Sequence, residues 1–188
     1  MPATPTSCTR RHASIALVAL LALPRAASAA LPVPPEVAAE LETPRLYGQG
    51  RFHYFGMHVY DIRLWVGEGF RPAALDEMPL ALELEYARRL EGAAIAERSL
   101  TEMQRNQPVT PQRAGQWLDA MRSVFPDVAP GDRLTGSRQP VQFARFFHNG
   151  QARGEVRDAA FARAFFGIWL APTSSEPRLR RALLGETP

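Results

Sequence analysis

The stretch Leu80-Ala81-Leu82-Glu83-Leu84-Glu85-Tyr86 restricts the fold more than any other part of this 188-residue chain. Large apolar residues stand at every second position, with Ala or Glu between them. A period of two is that of a β-strand, so Leu80, Leu82, Leu84 and Tyr86 point one way and Ala81, Glu83 and Glu85 the other. One buried face and one wetter face belong to an antiparallel sheet, because strands covered on both faces read as unbroken apolar runs. Met57 to Val66 alternates in the same way. His58, Tyr60, Ile62, Leu64 and Val66 fall on one face, and Val59, Asp61, Arg63 and Trp65 on the other. The aromatic-rich run Arg51 to Phe55 precedes it as a third strand signal.

After Tyr86 the period changes. Ala93 to Gln104 reads as a helix with Ile95, Ala96, Ser99, Leu100 and Met103 on one side. Thr110 as N-cap and Pro111 at the first helical position open a second helix, whose apolar stripe runs from Ala114 through Trp117 to Phe125 before Pro126 stops it. Gly131 to Ser137 and Val141 to His148 read as strands. Asn149-Gly150 is a type I′ turn into a short strand ending at Val156. Asp158 caps a helix carrying Phe161, Phe165, Ile168 and Trp169, and Ser174 or Ser175 caps a last short helix bearing Leu179, Leu183 and Leu184. Strands grouped apart from helices, in the order βββ, αα, βββ, αα, predict an α+β fold with helices on one face of a large antiparallel sheet. Residues 44–188 suffice for one domain of this kind, with residues 30–43 a Pro- and Ala-rich leader containing a little helix.

Residues 1–29 read as a secretory signal peptide: Arg10 and Arg11, an apolar run from Ala13 to Leu23, the helix-breaking Pro24 and an A-x-A cleavage site at Ala27-Ser28-Ala29. The expectation is therefore a periplasmic or secreted protein, cut before Ala30. That cut takes Arg10, Arg11 and Arg25 and no acid from a chain of 22 basic and 19 acidic residues, so the two signs balance afterwards. The formal charge of +3 on the whole chain thus gives no reason to expect a nucleic-acid partner. Every basic residue is Arg. The single cysteine, Cys8, leaves with the signal, which excludes disulfides, thiolate metal sites and cysteine catalysis in the mature chain. No apolar stretch in the mature chain is long enough to span a bilayer.

Familiar catalytic patterns are missing. Gly48-x-Gly50 opens like a dinucleotide loop, but His53 stands in the third glycine's place and the segment leads into a strand rather than a helix. His53 and His58 would face opposite sides of a continuous strand, and no closely spaced histidine pair suggests zinc. There is no G-x-S-x-G elbow. Glu83 and Glu85 lie about 6–7 Å apart on one strand face and read as a solvated outer face. Neither metal nor cofactor is expected. What remains is a sheet-and-helix layer lined with aromatics and interspersed Arg, suited to an apolar pocket with a cationic anchor.

Gly48-Gln49-Gly50-Arg51-Phe52, Val59-Tyr60-Asp61, Leu64-Trp65, Leu82 to Tyr86, Phe125-Pro126-Asp127-Val128, Gly131 to Gly136, Asn149-Gly150 and above all Phe165-Phe166-Gly167-Ile168-Trp169-Leu170 occur in the order found in the chalcone isomerase-like family. From about Pro44 to Gly185 the chain resembles the bacterial exported branch of that family. The resemblance implies an open-faced β-sandwich and one of two activities on it. Plant members close a flavanone ring by adding a phenolate across an enone; non-catalytic members bind fatty acids, holding the carboxylate with an Arg and a Tyr. Carried over by position, the anchoring Arg falls on Arg45. The catalytic Thr falls near Phe55 or Gly56, the Tyr on Ile95, the Lys on Arg98, the Asn on Glu102 and a second Thr near Ala164. With most catalytic groups replaced, the resemblance implies a non-catalytic binder of a fatty acid or a similar amphipathic or aromatic acid in an apolar cleft, with Arg45, Tyr54, Tyr60 and Arg98 as ligand-binding residues. An intramolecular lyase, or a structural module whose cleft is closed by Phe and Trp, are the alternatives.

Overall fold

The computed structural model describes Met1, residues 31–139 and residues 143–186. The expected signal peptide, and Val141 at the head of one predicted strand, lie outside those residues. Leu31–Pro188 is one compact unit. It begins with a short helix, α1 (Pro35–Glu40), and continues through three strands, β1 (Arg45–Tyr54), β2 (Met57–Val66) and β3 (Leu80–Tyr86). Helices α2 (Gly92–Asn106) and α3 (Pro111–Val124) follow, then β4 (Arg133–Gln139), β5 (Phe143–His148) and β6 (Gln151–Val156), and finally α4 (Ala159–Leu170) and α5 (Pro177–Leu183). All six strands form one antiparallel sheet in simple chain order. This is the α+β architecture that the alternation predicts.

The even-numbered residues of β3 set the sheet's two faces. Leu80, Leu82, Leu84 and Tyr86 pack with Ile62, Leu64, Leu134 and Phe146 against Met103, Trp117, Met121, Phe161, Phe165 and Trp169 of the helices. Asp158 caps α4 through the N–H groups of Ala160 at 2.8 Å and Phe161 at 3.1 Å, and accepts the Trp117 indole N–H at 2.9 Å, which ties α3 to the same helix start. Thr110 caps α3 as its sequence position implies. The last helix differs from expectation. Its N-cap is Glu176, without a side-chain cap, while Ser174 donates to the Ile168 carbonyl at 2.7 Å and Ser175 to the Glu102 carboxylate at 2.8 Å.

Helix α5 lies directly on β1. A Cβ at Gly48 would stand 2.2 Å from the Leu183 carbonyl oxygen, and one at Gly50 2.4 Å from a Leu179 methyl. These glycines permit close helix-on-strand packing, the physical reason for a pattern that superficially resembles a nucleotide loop.

The opposite face of the sheet is only partly open to water: the Glu85 side chain is 42% exposed, as its position suggests, but Glu83 is covered. Helix α1 covers part of it, with Val37 and Leu41 packed on Trp65 and Ala81. Glu83 is 2% exposed; it accepts from the Trp65 indole at 2.8 Å and from Arg63 at 3.1 Å. Glu36 of α1 accepts from Thr135 at 2.9 Å and Arg133 at 3.3 Å, and Glu40 from Ser137 at 2.8 Å and Arg145 at 2.6 Å. Buried carboxylates survive only when paired and hydrogen-bonded, and here α1 supplies two of them to the sheet. The leader is thus a structural strap.

Candidate functional site

The helix-facing side of the sheet and the inner faces of α2 and α4 enclose a cavity of about 300 Å³. Leu82 and Leu84 of β3, Leu134 and Gly136 of β4, Phe146 of β5 and Phe165, Ile168 and Trp169 of α4 form its apolar part. Tyr54, Tyr60, Tyr86, Arg88, Arg98, Glu102 and Glu176 supply the polar groups. The aromatic rings line this space without closing it, unlike the closed-cleft alternative. Phe161 and Phe165 stack at 5.8 Å, and Phe146 meets Phe165 edge-on at 5.1 Å, so the wall is held by ring packing.

Tyr60 and Tyr86 face each other across β2 and β3, with ring centres 5.8 Å apart. Trp169 donates its indole N–H to the Tyr60 hydroxyl at 3.0 Å. Burial pushes the Tyr60 phenol well above its ordinary range, against the opposing effects of the Trp169 hydrogen bond and the Arg98 charge. Burial raises Tyr86 likewise, with Tyr60 adding to the effect. Both phenols are neutral at physiological pH, as an ordinary tyrosine is, and each carries an O–H able to donate a hydrogen bond. The Tyr60 oxygen already accepts one bond, so its O–H is left to donate.

Ile95, Arg98, Ser99 and Glu102 recur along one stripe of α2 and all line the cavity. Arg98 forms an ion pair with the Glu102 carboxylate at 2.7 Å and lies 5.4 Å from the Tyr54 ring centre. Glu102, buried, also accepts from Ser175. The pair engages one nitrogen of a five-donor guanidinium and leaves the remaining N–H groups available. Arg88 contacts the Met57 sulfur at 3.2 Å and, among the described residues, is in no ion pair.

Three of the four residues singled out from sequence, Tyr54, Tyr60 and Arg98, thus meet at one cavity. Arg45 does not. It is the first residue of β1, exposed, pairs with Val66 and stacks over Tyr47 at 5.2 Å. A strand rises about 3.3 Å per residue, which separates it from Tyr54 at the other end of β1 by roughly 30 Å. Arg45, the anchor that the resemblance implies, therefore does not line this cavity; the cations that do are Arg88 and Arg98. No sequence pattern singles out Arg88. Its only sequence signal is a position two residues beyond the cleanest strand, where a strand end can aim a side chain across a sheet-and-helix cleft. Among the described residues no group of three or more His, Cys, Asp or Glu could hold a metal ion, and no helix is long and apolar enough to cross a membrane.

A Haemophilus influenzae protein, itself uncharacterized, is 32% identical over 140 residues, covering 74% of this chain and 67% of that one. The crystal structure of an Arabidopsis thaliana fatty-acid binding protein has the same fold, with a TM-score of 0.60 over 76% of this chain and 87% of that chain at 12% identity. The family profile described as chalcone isomerase-like matches residues 27–185. With that match spanning the strap, the whole sheet and all the helices, the chain belongs to the chalcone isomerase-like family.

Proposed function

We propose that this protein binds a monoanionic amphipathic acid, a fatty acid or an aromatic acid of similar length, without transforming it. The observation that carries this reading is the polarity of the cavity: Arg88, Arg98, Tyr60 and Tyr86, together with Glu102 and Glu176, gather beside a wall of Leu, Ile, Phe and Trp side chains, and Arg98 is paired with Glu102 whereas Arg88 is in no ion pair among the described residues. A carboxylate accepts from guanidinium and phenol donors, while the hydrocarbon portion gains from leaving water against the apolar wall. The fold shared with a fatty-acid binding protein supports the same reading.

Binding fits the site better than ring closure does. Activating a phenolate needs donors gathered around developing negative charge. Ile95 and Ala164 instead offer no hydroxyl at the positions where the resemblance implies a catalytic Tyr and Thr. The binding test is titration of a fluorescent fatty acid into wild type, Arg88→Gln, Arg98→Gln and Arg45→Ala. A charge-assisted hydrogen bond contributes about 1.5–3 kcal/mol, so loss of either cavity arginine should weaken binding about ten- to a hundred-fold. Arg45→Ala should bind as wild type does. Undiminished affinity in both glutamine variants would refute the anchor.

Export is part of the same proposal, supported by the signal-like pattern of residues 1–29. Expressed from its native start, the protein should be recovered from the periplasm beginning at or near Ala30. Retention of Met1 on the mature protein would contradict this.

A further inference from the structure

The β1–β2 hairpin ends in a two-residue turn, Phe55-Gly56, with Tyr54 paired to Met57. Both turn residues have positive φ, +48° and +76°. This is the pattern of a type I′ turn, which matches the twist of the strands and favours Asn-Gly or Gly-Gly. The same chain uses Asn149-Gly150 for its β5–β6 turn, at +50° and +83°. A phenylalanine in the left-handed region is unfavourable, so local folding does not account for Phe55. Its packing does not account for it either, because it is 86% exposed. Tyr54 and Met57 beside it are 43% and 47% exposed, and the Tyr54 and Phe55 rings meet edge-on at 4.6 Å.

Arginines bracket this apolar tip. Arg88 reaches the Met57 sulfur, and Arg98 lies over the Tyr54 ring. Arg89 follows Arg88 in the chain, is exposed, and like it is in no ion pair among the described residues. Tyr54 both flanks the tip and lines the cavity. Exposed aromatic side chains flanked by cations are what an anionic bilayer surface recognises, the rings entering the headgroup region and the cations meeting lipid phosphates.

We infer that the Tyr54–Met57 tip docks on an anionic phospholipid surface, with Phe55 as the inserted side chain, and brings the cavity's polar end to the lipid. Docking stands on the turn and its cations. Its use in loading or unloading an acyl ligand rests on the proposed acid binding.

The test is co-sedimentation of residues 31–188, the compact unit, with vesicles of phosphatidylcholine alone and of phosphatidylcholine mixed with phosphatidylglycerol. Wild type should sediment with the mixed vesicles, and added salt should weaken the association. Phe55→Asn should reduce partitioning at least tenfold. Since Asn suits this turn better than Phe, its Tm should equal or exceed that of wild type, so lost docking would not reflect lost folding. Phe55→Trp should retain docking, and its fluorescence should shift to the blue when vesicles are added. Phe55 does not line the cavity, so Phe55→Asn should still bind a fluorescent fatty acid in vesicle-free buffer; failure of acid binding in every protein would count against the ligand reading and leave docking standing. Wild type that ignores mixed vesicles, or Phe55→Asn that binds them equally, overturns the inference. Concentration-dependent dimerisation abolished by Phe55→Asn, with no vesicle binding, would show the tip to be a self-association surface and overturn it too.

Discussion

Trp169 of α4 donates its indole N–H to the Tyr60 hydroxyl of β2 at 3.0 Å, a bond that fastens helix to sheet at the cavity wall. Removing the acceptor leaves an indole N–H without its partner while the phenol's own donor is lost to any ligand. Tyr60→Phe should therefore destabilise the fold by about 1–3 kcal/mol, the cost of an unmade buried hydrogen bond. The same change should weaken fatty-acid binding several-fold. Urea unfolding and fluorescent titration read the two effects separately, and a variant as stable as wild type would show that the bond contributes nothing.

The buried carboxylate on the other face answers to different physics. Glu83 accepts from both Trp65 and Arg63, and its side chain is 3% exposed. Glu83→Ala strands the Trp65 donor and removes a partner of Arg63, a change expected to cost about 3–5 kcal/mol. Ligand affinity should hold under conditions where the variant stays folded, because the cavity lies on the opposite face. Denaturant unfolding with a parallel ligand titration checks both halves.

Acid should expose a third dependence. Burial pushes the Asp158 carboxyl up, but hydrogen bonds from Trp117 and from the Phe161 and Ala160 N–H groups, with the Arg113 charge, outweigh it and hold the group below its ordinary range. A group with a depressed folded pKa adds stability that is complete above its unfolded value, near 3.9 for Asp, and lost as pH falls through the lower folded value. Asp158→Ala should cost about 2–4 kcal/mol near neutral pH, from the lost cap and the unpaired indole. Below about pH 4 the gap between variant and wild type should narrow. Thermal unfolding across pH 2–7 measures it, and a constant gap would contradict the assignment.

The alternation in β2 and β3, the Thr110-Pro111 start and the Asn149-Gly150 turn were legible because each is a local rule obeyed over a few residues. Three things were not. Glu83 reads as solvated until α1 is seen to strap that face with Glu36 and Glu40, nearly a hundred residues from the β4 side chains they meet. Arg88 gives no pattern of its own, since its role comes from where a strand end points. Likeness to a family motif points to Arg45, whereas the cavity lies at the other end of the same strand, beside Tyr54. Period and capping report on elements; which end of an element meets a cleft is decided by packing.

Native mass spectrometry of the protein as purified from cells bears most directly on the claim that the cavity holds an amphipathic acid. The comparison is wild type against Ile95→Trp, which puts a bulky indole in place of a branched alkyl group in the space lined by Leu84 and Phe165. Wild type should carry a mass excess released by organic extraction as a fatty or aromatic acid, and Ile95→Trp should be folded and empty. An empty wild-type protein that also fails to take up added fatty acid, or equal occupancy in a folded Ile95→Trp, would contradict it.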